Sequence, residues 1–539
     1  MGSGQRRVSA GLSNGNQEFR ERAEVPDGRP HPHRRIEPAH IRWTETEGPN
    51  SPWFDVLFAA ECMNKSALGL SRKDMEGWPD TIQHAYTKLS AGHVSADLVG
   101  SGESIPVPKP DEGDDHTRGK IARTAYWYEN LRDGYSRVAQ GFQPTIGKTV
   151  DPRIEHPRVL AAVREIEEWT LKGEKVLVFG VFLEPLKLLL NVLNVRQALR
   201  AVDAGRPVTQ AIDSDADIAW IAVHQLERLR SEDSLRGRLS SGTIEDMRSA
   251  LETSYETYRK LRKKLRKRAR LTVEAWGADR SILGSEPLDA SLETAVKDHL
   301  ISFVLDDYLA TASSSGEISP ARFGDLAEQF VNERLRPLLG EADGQNSDSD
   351  HREPQQSALR ALIDDSGRQI LHAQLLIGPT GLQTRRYIQA AFNRPRASPW
   401  VIVAQSLVGR EGLNLHEACR VVVQFHAEWN PAILEQQIGR VDRKGSLWER
   451  KAQEWMAGGA QGDPPYIEVR QLVFEGSYDA FQWDTVRRRK HDFDASLFGS
   501  LLPAEAWDRV PEVRKQELLK AAPSFRPAPL PRLDPRREA

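Results

Sequence analysis

Three short apolar runs constrain the fold of this chain more than any other feature. They are Lys175–Phe182 (KVLVFGVF), Trp400–Ser406 (WVIVAQS) and Val421–Phe425 (VVVQF). A strand with one wet face alternates polar and apolar side chains. A run without that alternation suits a strand covered on both faces, as in a parallel sheet. Helical patterns fall between and around the runs, at 157–172 (ended by Gly173), at 186–199 and at 382–392. A short strand is expected at 375–377, leading into Gly378-Pro379-Thr380, and a last one at 467–473, followed by a helix over 478–493. Pro431 stands where a helix can start, and 432–441 completes that helix. The rhythm predicts one α/β sheet domain built from 151–204 and 370–497.

The remaining segments differ in character. Residues 1–50 are rich in Arg, Gly, Pro and His without apolar periodicity, which predicts a disordered segment. Residues 51–150 form a helical linker region, with Trp53, Phe54, Leu57, Phe58 and Cys62 at helical spacing and a Pro/Gly loop at 98–118. Residues 205–369 form a charged helical insertion broken by Ser/Gly stretches and by the polar tract 340–354. Residues 498–539 form a tail that ends in a Pro/Arg-rich segment, expected to be disordered. Hydrophobic residues make up 39% and charged residues 28%, enough to bury a core, and no run reaches the ~20 apolar residues of a membrane span. The two cysteines, Cys62 and Cys419, exclude a disulfide scaffold and a four-cysteine zinc site. A reducing, cytoplasmic compartment is expected. The histidines show no paired metal spacing, and His31 and His33 lie in the segment expected to be disordered.

Residues 406–445 carry the chemistry. Gly409-Arg410-Glu411-Gly412-Leu413-Asn414-Leu415 resembles motif V of superfamily-2 helicases and translocases of the SWI/SNF and RapA-like group. Trp429-Asn430-Pro431 matches that group's W-N-P signature, and Gln436-x-x-Gly439-Arg440-x-x-Arg443 resembles its motif VI. Weaker likenesses run in the same order: Lys175–Phe182 to motif IV; Gly378-Pro379-Thr380 with Arg385 and Phe392-Asn393 to the segment before motif V; and Glu475–Asp479, with Arg487–Lys490 behind it, to the closing element. The resemblance implies the second RecA-like lobe of such a motor: a parallel sheet flanked by helices, here interrupted by the insertion. It implies ATP as cofactor, with Gly412, Asn414, Gln436 and Gly439 facing the nucleotide and Arg440 and Arg443 as the catalytic arginines. It also implies DNA as a partner.

The residue types suit that chemistry. Phosphoryl transfer to water builds negative charge on the γ-phosphate oxygens. A guanidinium is always charged and presents a planar fork of donors. Arginines supplied from a second domain contribute roughly 10³–10⁵ in rate. On one helical turn, Arg440 and Arg443 would point to one side of a cleft. Gly439 would admit a close backbone approach, and Gln436 would lie one turn earlier on the same face. Trp429, beside Asn-Pro at a strand-to-helix junction, suits packing more than ligand stacking.

A whole motor of this kind also needs a P-loop and an acidic Mg²⁺ box. Gly141 and Gly147-Lys148-Thr149 have one residue too many between them for a P-loop, and Pro144 interrupts any leading strand. Asp111-Glu112-Gly113-Asp114 lies in a Pro/Gly loop and reads as solvated charge. The expectation is therefore a split motor, inactive alone, whose P-loop lobe sits on a separate chain and holds the Mg²⁺. The rival readings are a non-enzymatic DNA-binding or regulatory subunit, and a fragment of a truncated helicase gene.

Net charge is only −3, so any nucleic-acid contact must come from local patches. Residues 259–270 carry nine Lys/Arg in twelve positions, with Leu261 and Leu265 spaced i, i+4. Arg262, Lys263, Arg266 and Lys267 are the candidates for backbone contact. The competing reading is a solvated helix face balanced by Glu245, Asp246, Glu252 and Glu256. In the second basic run, Arg487–Lys490, structural pairing is the better expectation.

Overall fold

A computed structural model describes residues 33–41, 52–67, 69–71, 73–74, 78, 105–106, 114–141, 152–212, 215–278, 290–311, 318–335, 371–395, 397–406, 414–498 and 510–521. Its centre is a six-stranded sheet in which every pairing is parallel. The strands are β1 (Arg34–Ile41), β2 (Lys175–Gly180), β3 (Ala373–Leu376), β4 (Val401–Gln405), β5 (Cys419–Gln424) and β6 (Ile467–Phe474). Their spatial order is β1-β6-β5-β2-β4-β3. The chain has the expected α/β class, with helices on the parallel sheet and a mostly helical insertion between β2 and β3.

The apolar runs become the central strands for the reason their composition suggests. In β2, Val176 and Val178 enter one core while Leu177 and Phe179 enter the other. The first core is covered by α3 (Pro157–Leu171) and α4 (Leu183–Asp203). The helical pair α1 (Pro52–Ala67) and α2 (Asp115–Gly141) and helix α5 (Ala216–Ser231) extend the same core. The second core is covered by α9 (Leu382–Phe392), the end of α10 (Pro431–Ile438) and α11 (Leu447–Ala457). Helix α12 (Tyr478–Phe498) closes a smaller cluster through Trp483 and Val486 against Leu434. The insertion contributes α6 (Ile244–Ala278), α7 (Ala290–Thr311) and α8 (Pro320–Phe330), which share a separate core. A last helix, α13 (Glu512–Ala521), lies in the tail.

The expectation of a disordered 1–50 is corrected for 33–41; the rest of that segment lies outside the described residues. β1 is an edge strand in register with β6, from Arg34 opposite Ile467 to Ile41 opposite Phe474. An edge strand needs only one paired side, so Pro38 and the exposed or half-exposed side chains of Arg35, Glu37 and His40 are tolerated there. The expected disorder at the far C-terminus also lies outside the described residues.

One buried ion pair and one buried lysine brace the sheet. The fully buried Arg158 of α3 donates to the Phe425 carbonyl (2.6 Å) and pairs with Asp479 (2.8 Å). Asp479 also accepts from the Phe474 amide at 2.8 Å. On the opposite side, Lys175 donates to the carbonyls of Phe392 and Ala397, both at 2.7 Å. Asp479, in the expected closing element, thus locks α12 to the end of β6.

Candidate functional site

The candidate site lies where β4 and β5 hand the chain to the motif V and motif VI segments. Helix α10 starts as expected: Pro431 occupies its first turn, and the Asn430 side chain accepts from the Ala432 amide at 2.9 Å. Its end is different. The helix stops at Ile438 with Gly439 as its C-cap, so Arg440 and Arg443 lie in a turn and not on a helix. The amides of Arg440, Val441 and Asp442 satisfy the last carbonyls of α10, at 3.0–3.1 Å. Further on, Gly445 takes φ +76°, a left-handed conformation that suits glycine.

Within this turn the two arginines differ. Arg440 is only 7% exposed. Burial, and then the positive charge of Arg443, push its guanidinium below the ordinary value. Arg443 is half-buried; burial shifts it the same way, and its Nε donates to the Gly439 carbonyl at 3.1 Å. Among the described residues Arg443 makes no ion pair with a carboxylate. Both groups stay cationic, because an arginine holds its proton under all ordinary conditions. Two partly desolvated like charges in one turn favour an anion between or beside them.

The contacts that hold the turn have no counterpart in the local sequence. Asp442, between the two arginines, is clamped by β1. Arg34 Nε donates to its Oδ2 at 2.7 Å, and His33 Nε2 lies 3.0 Å from the same oxygen. Arg34 Nη1 donates to Glu435 of α10 at 2.7 Å. The His33 ring packs on Trp448, with centroids 4.4 Å apart. Burial raises the proton affinity of Asp442. The charge of Arg34 and the hydrogen bond and charge of His33 outweigh it, holding the carboxyl well below the usual range.

The sign of the resulting pH dependence follows. A carboxylate depressed in the folded state contributes stability in full above its unfolded value of about 3.9, and that stability is lost as pH falls further. The expected result is a urea midpoint that falls steeply below about pH 4 and falls less steeply in Asp442→Asn. Parallel profiles for the two proteins would argue against the clamp.

The end of the motif V-like segment meets the Arg440–Arg443 turn through the backbone. Gly409–Leu413, including Gly412, lie outside the described residues. Beyond them, the Leu415 amide donates to the Arg440 carbonyl (3.4 Å) and the Leu447 amide to the His416 carbonyl (2.8 Å). Asn414 is exposed, and its carbonyl accepts from Asn393 Nδ2 at 2.8 Å. Arg385 is buried and donates to the carbonyls of Ile377 (3.3 Å) and Gly378 (2.6 Å). Thr380 Oγ1 accepts from the Ile377 amide at 3.1 Å. The Gly-Pro-Thr loop, the Phe-Asn corner and the motif V exit are therefore one hydrogen-bonded ledge.

Of the two neighbouring glutamines, Gln436 is exposed and Gln437 is 1% exposed. Gln437 belongs to a buried relay: Gln471 donates to Gln424 (2.9 Å), Gln424 to Gln437 (3.4 Å), and Gln437 to Ser406 Oγ (3.3 Å). This relay ties β6, β5, α10 and the end of β4 together. The signal was present in the helix period: Gln437 follows Ile433 by four and Leu434 by three, so it shares their inward face.

Other expected residues resolve as follows. Gly439 has φ −60°, and an added Cβ would stand 3.2 Å from the Glu435 carbonyl, so the position is tight without being strained. Trp429 is half-buried, edge-on to Tyr478 at 6.3 Å, with the Arg489 guanidinium 5.5 Å from its centroid. The second basic run is structurally engaged: Arg487 with Asp484 (2.9 Å), Arg489 with the Trp429 carbonyl (3.0 Å) and Lys490 with Glu435 (3.0 Å). On α6, Lys263, Arg266 and Lys267 are exposed, whereas Arg262 is half-buried. Asp114 caps α2 by accepting from the amides of His116 and Thr117, both at 3.0 Å. Those bonds and the Thr117 hydroxyl lower its carboxyl to about 2. Residues 142–151, with the Gly-Lys-Thr tripeptide, and residues 111–113 lie outside the described residues. No group of three or more potential metal ligands occurs among the described residues.

Residues 357–445 match the helicase conserved C-terminal domain. The helicase match ends at Gly445, the residue that closes the arginine turn, and spans the ledge, the motif V exit and α10. Among solved structures, the crystal structure of the C-terminal part of the Fun30 ATPase domain is similar at 12% identity. That similarity covers 49% of this chain and 92% of the other, with a TM-score of 0.17. No curated protein matches the chain. Among the described residues, no helix is long and apolar enough to cross a membrane.

Proposed function

We propose that this chain supplies the C-terminal lobe of an ATP-dependent DNA helicase or translocase of the RapA and SWI/SNF type. The observation that carries the proposal is the Arg440–Arg443 turn, braced by the Asp442 clamp and bonded to the motif V exit. Such a turn presents preorganised positive charge at the edge of a parallel sheet, which is what a γ-phosphate in transfer requires. ATP and its Mg²⁺ sit between this lobe and a P-loop lobe on another polypeptide, which holds the metal. Arg440 and Arg443 stabilise the transferred phosphate. Gly412, Asn414, Gln436 and Gly439 line the nucleotide side, and closure of the two lobes couples hydrolysis to movement on DNA. The lobe comprises 151–204 and 370–497 with β1 added at its edge, 205–369 is its insertion, and the cytoplasm is its compartment.

The test is reconstitution. The chain alone is expected to show no ATPase above background. Hydrolysis appears when a P-loop lobe of the same motor class and duplex DNA are added together. Robust hydrolysis by the chain alone would refute the shared site. Hydrolysis by the pair that tolerates loss of both arginines would favour a non-enzymatic DNA-binding platform instead.

A further inference from the structure

We propose that the outer face of α6 is a binding surface for the phosphate backbone of duplex DNA, mounted on the insertion and separate from the nucleotide site. The proposal rests on the reading of DNA as a partner and assigns that role to particular residues.

The helix has two opposite faces. Tyr258, Leu261, Leu265, Ala269, Val273 and Trp276 are buried in the core shared with α7 and α8. Lys260, Lys263, Arg266 and Lys267 are exposed on the other side. The arrangement would mean little if nearby acids neutralised it; Glu252 is exposed eight residues before Lys260, but the acids closest to the basic run are engaged elsewhere. Glu256 pairs with Arg259 at 2.6 Å, Glu274 with Arg270 at 3.4 Å and Glu245 with Arg248 at 3.7 Å. Asp246 accepts from the Thr243 amide at 2.7 Å, and Asp307 of the adjacent α7 pairs with Arg322 of α8 at 2.9 Å. Among the described residues, Lys260, Lys263, Arg266 and Lys267 have no carboxylate partner.

The spacing fits a regular polyanion. At 1.5 Å per residue, Lys260 to Lys267 spans about 10 Å of helix axis. Duplex DNA presents roughly six phosphate charges over that length. A membrane surface fits less well, because an interfacial helix needs an exposed apolar face, and along the basic stretch of α6 the large apolar side chains are buried except Leu271. The mount is also rigid. The first half of α6 places Met247, Ala250 and Leu251 in the core that covers the sheet. Ser254 accepts from the Val208 amide (3.0 Å) and donates to the Arg206 carbonyl (2.9 Å). Movement of the sheet lobe therefore carries this face with it.

The test uses the full chain and a fluorescein-labelled 30-base-pair duplex, with anisotropy titrations across a series of NaCl concentrations. The wild type is expected to bind with a steep negative slope of log K against log salt. Changing Lys260, Lys263, Arg266 and Lys267 together to Gln should make that slope shallower by about 3–4, at roughly 0.9 per lost contact. Affinity at 0.1 M salt should fall about 100-fold or more. A variant with Lys260→Arg, Lys263→Arg and Lys267→Arg should keep the wild-type slope, and equal circular-dichroism melting curves exclude misfolding as the cause. An unchanged slope in the Gln variant, or wild-type binding that salt does not affect, overturns the proposal. Binding to phosphatidylserine vesicles without binding to the duplex also overturns it. Arg443→Ala is expected to retain the full slope while losing hydrolysis in the reconstituted motor, so failure of the nucleotide reading and failure of this surface are told apart.

Discussion

Arg443→Ala is expected to lower the DNA-stimulated ATPase of the reconstituted motor by about 10³-fold or more. Its unfolding midpoint should stay close to that of the wild type. The large effect on rate follows from where the charge acts: a guanidinium aimed at developing phosphate charge in a desolvated cleft acts mainly in the transition state. The small effect on stability follows from its surroundings. Arg443 is half-buried, donates one bond to the Gly439 carbonyl and, among the described residues, forms no ion pair. Arg443→Lys should recover little, because an ammonium lacks the planar fork. Steady-state phosphate release and urea denaturation on the same preparations separate the two effects. A rate within threefold of wild type for Arg443→Ala would remove Arg443 from the catalytic reading. A rate loss accompanied by an equal loss of stability would assign it a structural role instead.

The second large effect is on stability and lies far away in sequence. Arg34→Ala is expected to destabilise the chain by about 3–5 kcal/mol, because it leaves Asp442 buried without its principal counter-charge. Arg34 and Asp442 side chains are only 7% and 3% exposed, so solvent screens this pair little. The companion variant Arg34→Met with Asp442→Leu removes both charges and should recover much of the loss, since replacing a whole buried pair by apolar groups is often neutral. The same double variant should still be slow in ATP hydrolysis, because the turn between Arg440 and Arg443 loses its anchor to β1. Denaturant midpoints and phosphate release measure both. A loss below about 1 kcal/mol for Arg34→Ala would show that the turn holds itself.

These two predictions mark different levels of legibility. The parallel sheet could be read because buried strands must be apolar on both faces, and Val176–Phe179, Val401–Ala404 and Val421–Val423 satisfy that locally. The arginine pair could be read because its spacing and its neighbours, Gly439 and the W-N-P signature, are also local. The extent of α10 could not. Ala432–Val441 has a sound helical pattern, yet the chain leaves the helix at Gly439, and Asp442 beyond it is held by Arg34 and His33. The choice between Gln436 and Gln437 was legible in the period of the helix but was outweighed by the motif.

The basic helix shows the limit from the other side. Sequence places Glu256, Glu274 and a run of Lys/Arg within a few turns, but only the folded helix shows which acids are already paired with Arg259 and Arg270. Arg262, chosen from the sequence for backbone contact, is partly turned inward, while Lys260 faces out.

By itself, then, the sequence determined the α/β class and the order of the central strands and helices along the chain, because hydrophobic period is a short-range property. Only the tertiary structure decided that residues 34–41 join the sheet, that Arg34 and His33 hold Asp442 in the arginine turn, and that four cations of α6 have no carboxylate partner among the described residues. Each of these depends on a partner that the chain brings near only by folding, in the case of Arg34 and Asp442 from 408 residues away. Edge pairing and buried ion pairs leave no periodic trace, since their energy arises from desolvation and charge at a contact and not from the order of neighbouring residues.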